Sequence, residues 1–263
     1  MSTATYAVSD SITMLRRNIR HMSRYPELTL MLVGLPVIFL LLFVYVFGGT
    51  LGAGLSSASG GRREYVNYVV PGIIVMAIAG AAQGTAISVA MDMTEGIISR
   101  FRTMAIFRPS VLTGHVLGNM IQTTFSLAVV FMVSLLIGFR PTAGPVEWMA
   151  AIGVLAMTTL ALTWLCVALG LASKSVETAS NLPMPLMLLP FLSSGFVPTA
   201  SMPIGLRWFA DYQPFTPVIE TLRGLLLGTS IGNSAIIASA WCAAITLASY
   251  MWSRAAFNRD PAG

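Results

Sequence analysis

The stretch YVVPGIIVMAIAGAAQGTAISVAMDMTEGIISRFRTMAIFRPS, residues 68–110, divides sharply at its middle. Residues 68–90 carry no charge, whereas residues 91–110 carry Asp92, Glu95, Arg100, Arg102 and Arg108. An α-helix needs about 20 apolar residues to cross a hydrocarbon core about 30 Å thick, and the first half meets that length. The second half reads as the polar interruption before another crossing.

The rest of the chain repeats this pattern. Hydrophobic residues make up 56% of its 263 residues and charged residues only 10%, against roughly a quarter charged in an ordinary globular domain. The mean hydropathy is +0.78. Spanning β-strands would alternate apolar and polar residues, and these runs do not alternate. The composition therefore predicts an all-α integral membrane protein, with residues 1–263 forming a single transmembrane domain. Six spans are expected, at about 28–48, 66–90, 111–139, 147–172, 181–198 and 231–253. In the second, Pro71 falls in the first turns, where a missing amide costs least. The fifth carries Pro183, Pro185 and Pro190 and is expected to be kinked or broken. Residues 199–228 are too apolar for a solvated loop and too interrupted by Pro and Gly for a span. A re-entrant or interfacial pair of helices fits them, because backbone at membrane depth must satisfy its own hydrogen bonds.

The N-terminal residues 1–27 are too polar for a signal peptide, and no small-residue cleavage site follows the first apolar run, so the first span is expected to be retained. Ile12, Leu15, Ile19 and Met22 recur at helical spacing while Arg16, Arg17, Arg20 and Arg24 supply the polar side. Residues 8–25 thus read as an amphipathic helix in the headgroup region. With the N-terminus inside, ten Arg and Lys side chains fall on the cytoplasmic side and five, Arg62, Arg63, Arg140, Arg207 and Arg223, on the other. That imbalance predicts both termini in the cytoplasm of a multi-pass plasma-membrane protein.

Several chemistries are disfavoured. All ten acidic residues fall at or outside the expected span ends, so no mid-span carboxylate offers itself to proton coupling. Gln83 is the most polar mid-span side chain, and reads either as a helix-to-helix hydrogen bond or as a contact on the substrate path. His21 and His115 are the two histidines. They assemble neither a metal site nor a Ser/His/acid set. Cys166 and Cys242 lie inside apolar runs, as small packing residues do. Fourteen of the fifteen basic residues are Arg, but no dense basic block suggests nucleic acid. A P-loop needs a Gly-Lys pair, and the single lysine, Lys174, follows Ser173. Were ATP to drive this protein, another polypeptide would bind it.

The charged half of the opening stretch also has helical periodicity. Ile97, Ile98, Phe101, Met104 and Ala105 share one face, with Asp92, Glu95, Ser99, Arg102 and Thr103 opposite and Ile106 as the misfit. Its acids come early and its arginines late, matching the helix dipole. It reads either as a solvated connector or as a surface helix that docks on a soluble partner. Glu220 and Arg223, three apart on an expected helix, form a candidate ion pair at the membrane. Gly48 with Gly52, and Gly80 with Gly84, have spacings that suit either intrachain packing or a dimer contact.

Three motifs in order, YVNYVVPGIIV at 65–75, DMTEGIISRFRTMAIFRPSVLTGHVLGNMI at 92–121, and LPFLSSGFVPTASMP with YQPFTPVIETLRGLL, carry a resemblance. The chain resembles the membrane subunit of ABC-2 type exporters, in the daunorubicin-resistance branch. The resemblance implies a six-helix permease that dimerises with itself or a sister subunit. It implies two copies of a separate ABC-type ATPase, which would use the ATP and Mg, with no cofactor on this chain. In that family the N-terminal amphipathic helix and the first cytoplasmic loop touch the ATPase. This transfers to residues 8–25 and to Asp92, Glu95, Gly96, Arg100, Phe101 and Arg102. The region between spans five and six forms outward-side re-entrant helices in relatives. Ala105 departs from the family, where many members have Pro, which bears on how the coupling helix ends. The expectation is export of a hydrophobic or amphipathic compound, such as a drug, polyketide or lipid, across a bacterial plasma membrane. The rival expectations are a stand-alone secondary multidrug transporter and a structural membrane protein.

Overall fold

The computed structural model describes residues 26–54, 61–94 and 109–258. Residues 8–25 and 95–108, the expected interfacial helix and most of the charged connecting helix, lie outside the described residues. The described residues are helical, with no strand. Helix α1 (Pro26–Leu42) passes through a π-turn, Phe43–Phe47, into α2 (Gly48–Ala53). Then come α3 (Arg62–Thr94), α4 (Pro109–Ile137), α5 (Pro145–Ala172), α6 (Val176–Asn181) and α7 (Met184–Leu188). Helices α8 (Ile204–Tyr212), α9 (Phe215–Leu227) and α10 (Ser234–Asn258) complete the described residues.

Among the described residues, five helical stretches are long and apolar enough to cross a membrane: Leu32–Ala53, Arg62–Thr94, Leu112–Ile137, Pro145–Ala172 and Ser234–Ala256. The expected fifth span is not a continuous helix. It is built of α6, α7 and a 3₁₀ turn at Leu189–Leu192, broken where Pro183, Pro185 and Pro190 withdraw amide donors. Helix α3 begins at Arg62, four residues before the expected boundary, and Pro71 therefore lies in its interior. Hydropathy marks where hydrocarbon begins, whereas the helical backbone continues into Arg62, Arg63 and Glu64. At the other end α3 runs to Thr94 and takes in Asp92, a residue expected on the connecting helix.

Helix α3 is the axis of the bundle. Its side chains from Tyr65 to Ile74 and onward to Ala90 are largely buried, with α1, α4, α5, α6 and α9 around it. Helix α10 lies outside, against α5 and α9. Lipid tails are as apolar as leucine, so apolar burial alone gives little reason for these helices to associate; close packing and hydrogen bonds do. Glycine supplies the closest approaches. A Cβ on Gly72 would lie 2.7 Å from the Gly195 carbonyl oxygen, and one on Gly170 would lie 2.7 Å from that of Ala86. Rings close the seam between α1 and the broken segment. Phe43 and Phe191 both have centroids 4.6 Å from Phe196.

Contacts fix the ends. Gly52 of α2 meets Gly61, so α1 and α2 rise towards the Arg62 end of α3. Ala256 of α10 joins the cluster of Val89, Leu112, Val116, Val167 and Leu171 at the Thr94 end. The broken segment runs antiparallel to α3. Ser180 bonds to Gln83, Gly195 touches Gly72, and the Phe196 carbonyl accepts from the Tyr65 hydroxyl. From Gln83 to Tyr65 is eighteen residues of α3, or about 27 Å of helix rise.

Candidate functional site

At the Thr94 end, the ends of α3 and α4 flank residues 95–108. Asp92 is buried, and its Oδ2 lies 3.0 Å from His115 Nε2 on α4. A carboxylate is tolerated inside the bundle because a ring nitrogen on the neighbouring helix faces it. One turn along α4, Asn119 Nδ2 donates to Thr163 Oγ1 of α5 at 2.7 Å. Three helices are therefore tied by polar contacts beside the charged connection. Of the residues expected to couple to an ATPase, Asp92 is a buried helix-to-helix contact. Glu95, Gly96, Arg100, Phe101 and Arg102 lie outside the described residues, as do Arg16, Arg17, Arg20 and Arg24.

Midway along α3, half-buried Gln83 donates from Nε2 to the Ser180 carbonyl at 2.7 Å. Its amide holds the start of the broken segment. The two glycine spacings part company here. Gly48 and Gly52 are used within the chain, against Arg62, Tyr65 and Gly61, whereas Gly84 has open space where a Cβ would project. Gly84 and Ser88 lie exposed on a helix otherwise well covered. Met184, Leu188 and Leu192 of the broken segment are exposed as well.

The densest polar assembly lies near the Arg62 end. Arg223 of α9 is buried; its Nη1 donates to Glu220 Oε1 at 2.7 Å, and its Nη2 donates to the carbonyls of Ser194 at 2.8 Å and Tyr68 at 3.1 Å. The guanidinium carbon sits 3.9 Å from the centroid of the Tyr68 ring. Gln213, in the turn between α8 and α9, donates from Nε2 to the carbonyls of Leu192 at 2.6 Å and Leu189 at 3.3 Å. Arg223 does not belong with the loop arginines used to orient the chain. Without it the count on the side expected to face outward falls from five to four, five less Arg223, against ten on the other.

Sequence reading paired Arg223 with Glu220, which it meets, but missed Gln213, Asn119 and the contacts of Arg223 with Ser194 and Tyr68. One signal was present: His115, Asn119, Thr123 and Ser126 recur at helical spacing within an apolar run, and all four are buried. Cys166 and Cys242 are buried free thiols. Among the described residues, no group of three or more His, Cys, Asp and Glu converges to hold a metal.

A helical bundle with five stretches long and apolar enough to cross a membrane among the described residues, organised around one axial helix, defines the class as a polytopic membrane protein. Residues 10–227 match the model of the ABC-2 type transporter family, and the chain belongs to that family. It is 30% identical over 226 residues to the daunorubicin resistance ABC transporter permease protein DrrB1 of Streptomyces coeruleorubidus, covering 85% of this chain and 77% of that one. It is 24% identical over 236 residues to the probable doxorubicin resistance ABC transporter permease protein DrrC of Mycobacterium tuberculosis, covering 89% and 83%.

Proposed function

We propose that this chain is the membrane permease of an ATP-driven exporter, working as a dimer with a separate ABC-type ATPase. It moves a hydrophobic or amphipathic compound outward across a bacterial plasma membrane, with both termini in the cytoplasm. The observation that carries the reading is membership of the ABC-2 family in a chain whose one lysine cannot complete a P-loop. Relatives named for daunorubicin and doxorubicin resistance support a drug-like cargo.

The geometry supports the finer parts of the same reading. The broken segment follows α3 over about 27 Å, enough to count as a sixth crossing, which returns the C-terminal helix to the side where α1 starts. Gln213 is level with Leu189 and Leu192, deeper than the Gly195 contact with Gly72. Helices α8 and α9 then form a hairpin that dips from the outer side and returns. The uncovered Gly84 and Ser88 face of α3 is where the second permease copy, or the cargo between two copies, would sit.

Coupling to the ATPase is assigned to residues 91–108, with Asp92, Glu95, Gly96, Arg100, Phe101 and Arg102, a connection that this topology leaves on the cytoplasmic side of the membrane. In a reconstituted complex, charge reversal of Glu95 and Arg102 together is expected to abolish stimulation of the partner's ATP hydrolysis by cargo. Unchanged stimulation would remove the coupling assignment.

A further inference from the structure

The broken segment creates a problem that two side chains solve. Pro190 and the 3₁₀ turn interrupt helical hydrogen bonding, and carbonyls freed at membrane depth need donors from elsewhere in the protein. Gln213 supplies one amide to Leu189 and Leu192, and Arg223 supplies its guanidinium to Ser194. Arg223 also bonds the Tyr68 carbonyl and stacks on the Tyr68 ring. One side chain on α9 therefore fastens the end of the broken segment to α3. Beneath it Gly72 and Gly195 touch backbone to backbone, so the segment is either fully seated or displaced.

The assembly also has capacity it does not use. Ser194 Oγ, Arg223 Nε and Gln213 Oε1 are buried and make no hydrogen bond within the protein. Glu220 is the outlet of the cluster, with 38% of its side chain exposed against 8% for Arg223. The polar tie thus runs from a buried guanidinium to a carboxylate that meets the surroundings.

We propose that Arg223 and Gln213 are positioning residues of an outward-side latch, holding the end of the broken segment on α3 and releasing it when the path opens. The latch's role in export rests on the transport reading above; its geometry does not. Loss of a charged hydrogen bond inside the bundle favours the released state by about tenfold or more.

The test places a reporter at the latch. Ser194→Cys sacrifices no hydrogen bond of the Ser194 hydroxyl, since that hydroxyl makes none, and the latch uses the Ser194 carbonyl. The full chain in lipid nanodiscs, accessible from both faces, is treated with a membrane-impermeant maleimide, and labelling is mapped by peptide mass. With Arg223 and Gln213 intact, position 194 labels slowly. Arg223→Gln and Gln213→Met each speed labelling there about tenfold while buried Cys166 and Cys242 stay unlabelled. Glu220→Gln has a smaller effect, because Arg223 keeps its carbonyl bonds. Should Arg223→Gln fail to accumulate, Arg223→Lys decides: a point charge cannot span both carbonyls, so labelling between wild type and Gln213→Met is expected. Wild-type labelling in Arg223→Lys, unchanged labelling in Arg223→Gln, or equal labelling of Cys166 through global unfolding would each overturn the latch. Failure of transport with the labelling pattern intact would instead remove only the transport reading.

Discussion

Two glycines on one helix show how differently the same residue type is used. Gly72 faces the backbone of Gly195, and an added Cβ would lie 2.7 Å from a carbonyl oxygen; Gly84 faces open space. Gly72→Ala is therefore expected to cost about 1–3 kcal/mol, as overpacking does, and to lower the melting temperature in detergent. Gly84→Ala should hold melting or raise it, alanine being the better helix former, and equal losses at both positions would refute the packing. The buried pair gives a second case. Asp92→Ala leaves His115 without its carboxylate partner and should destabilise the fold by about 1–3 kcal/mol, read in the same melting assay. Neither Gly72 nor His115 advertises its partner in sequence, since those partners lie 123 residues and 23 residues away along the chain. What the sequence does carry is the polar periodicity of α4 from His115 to Ser126, a mark of a face turned inward.

Among the elements, prolines were legible and hydropathy was less so. Pro183, Pro185 and Pro190 announce a broken segment because each removes a donor, and the break lies there. Helix ends were misplaced by the same method. Arg62 to Glu64 are helical yet polar, and Asp92 is charged yet buried, so neither end of α3 coincides with a change in hydropathy. The repair of the break by Gln213 depends on a neighbouring helix and was invisible. Its consequence is measurable by hydrogen exchange. Gln213→Met should accelerate exchange of the amides from 191 to 196, leaving α5 protected; no change there would mean the broken segment is held by apolar packing alone. The rings of Phe43, Phe191 and Phe196 supply that packing, each aromatic pair contributing about 0.5–1.5 kcal/mol.

Across the whole molecule, the family and the bundle were both anticipated by motifs spread along the chain, whereas the uncovered strip on α3 emerges only once the other helices are placed. On the proposed function, the second copy packs against the exposed Gly84 and Ser88 strip. Gly84→Cys is expected to cross-link two copies on mild oxidation in membranes. Gly52→Cys, at a site closed by Gly61 within the chain, is not. Cross-linking through Gly52→Cys alone would place the seam elsewhere.

The central claim is that a separate ATPase powers this permease. Movement of hydrophobic and amphipathic compounds from a drug and lipid panel in proteoliposomes holding this chain, with and without an ABC-type ATPase and ATP, tests it most directly. Movement that requires both the ATPase and ATP hydrolysis is the predicted result. Equal movement driven by a proton gradient, with this chain as the sole protein, would contradict it.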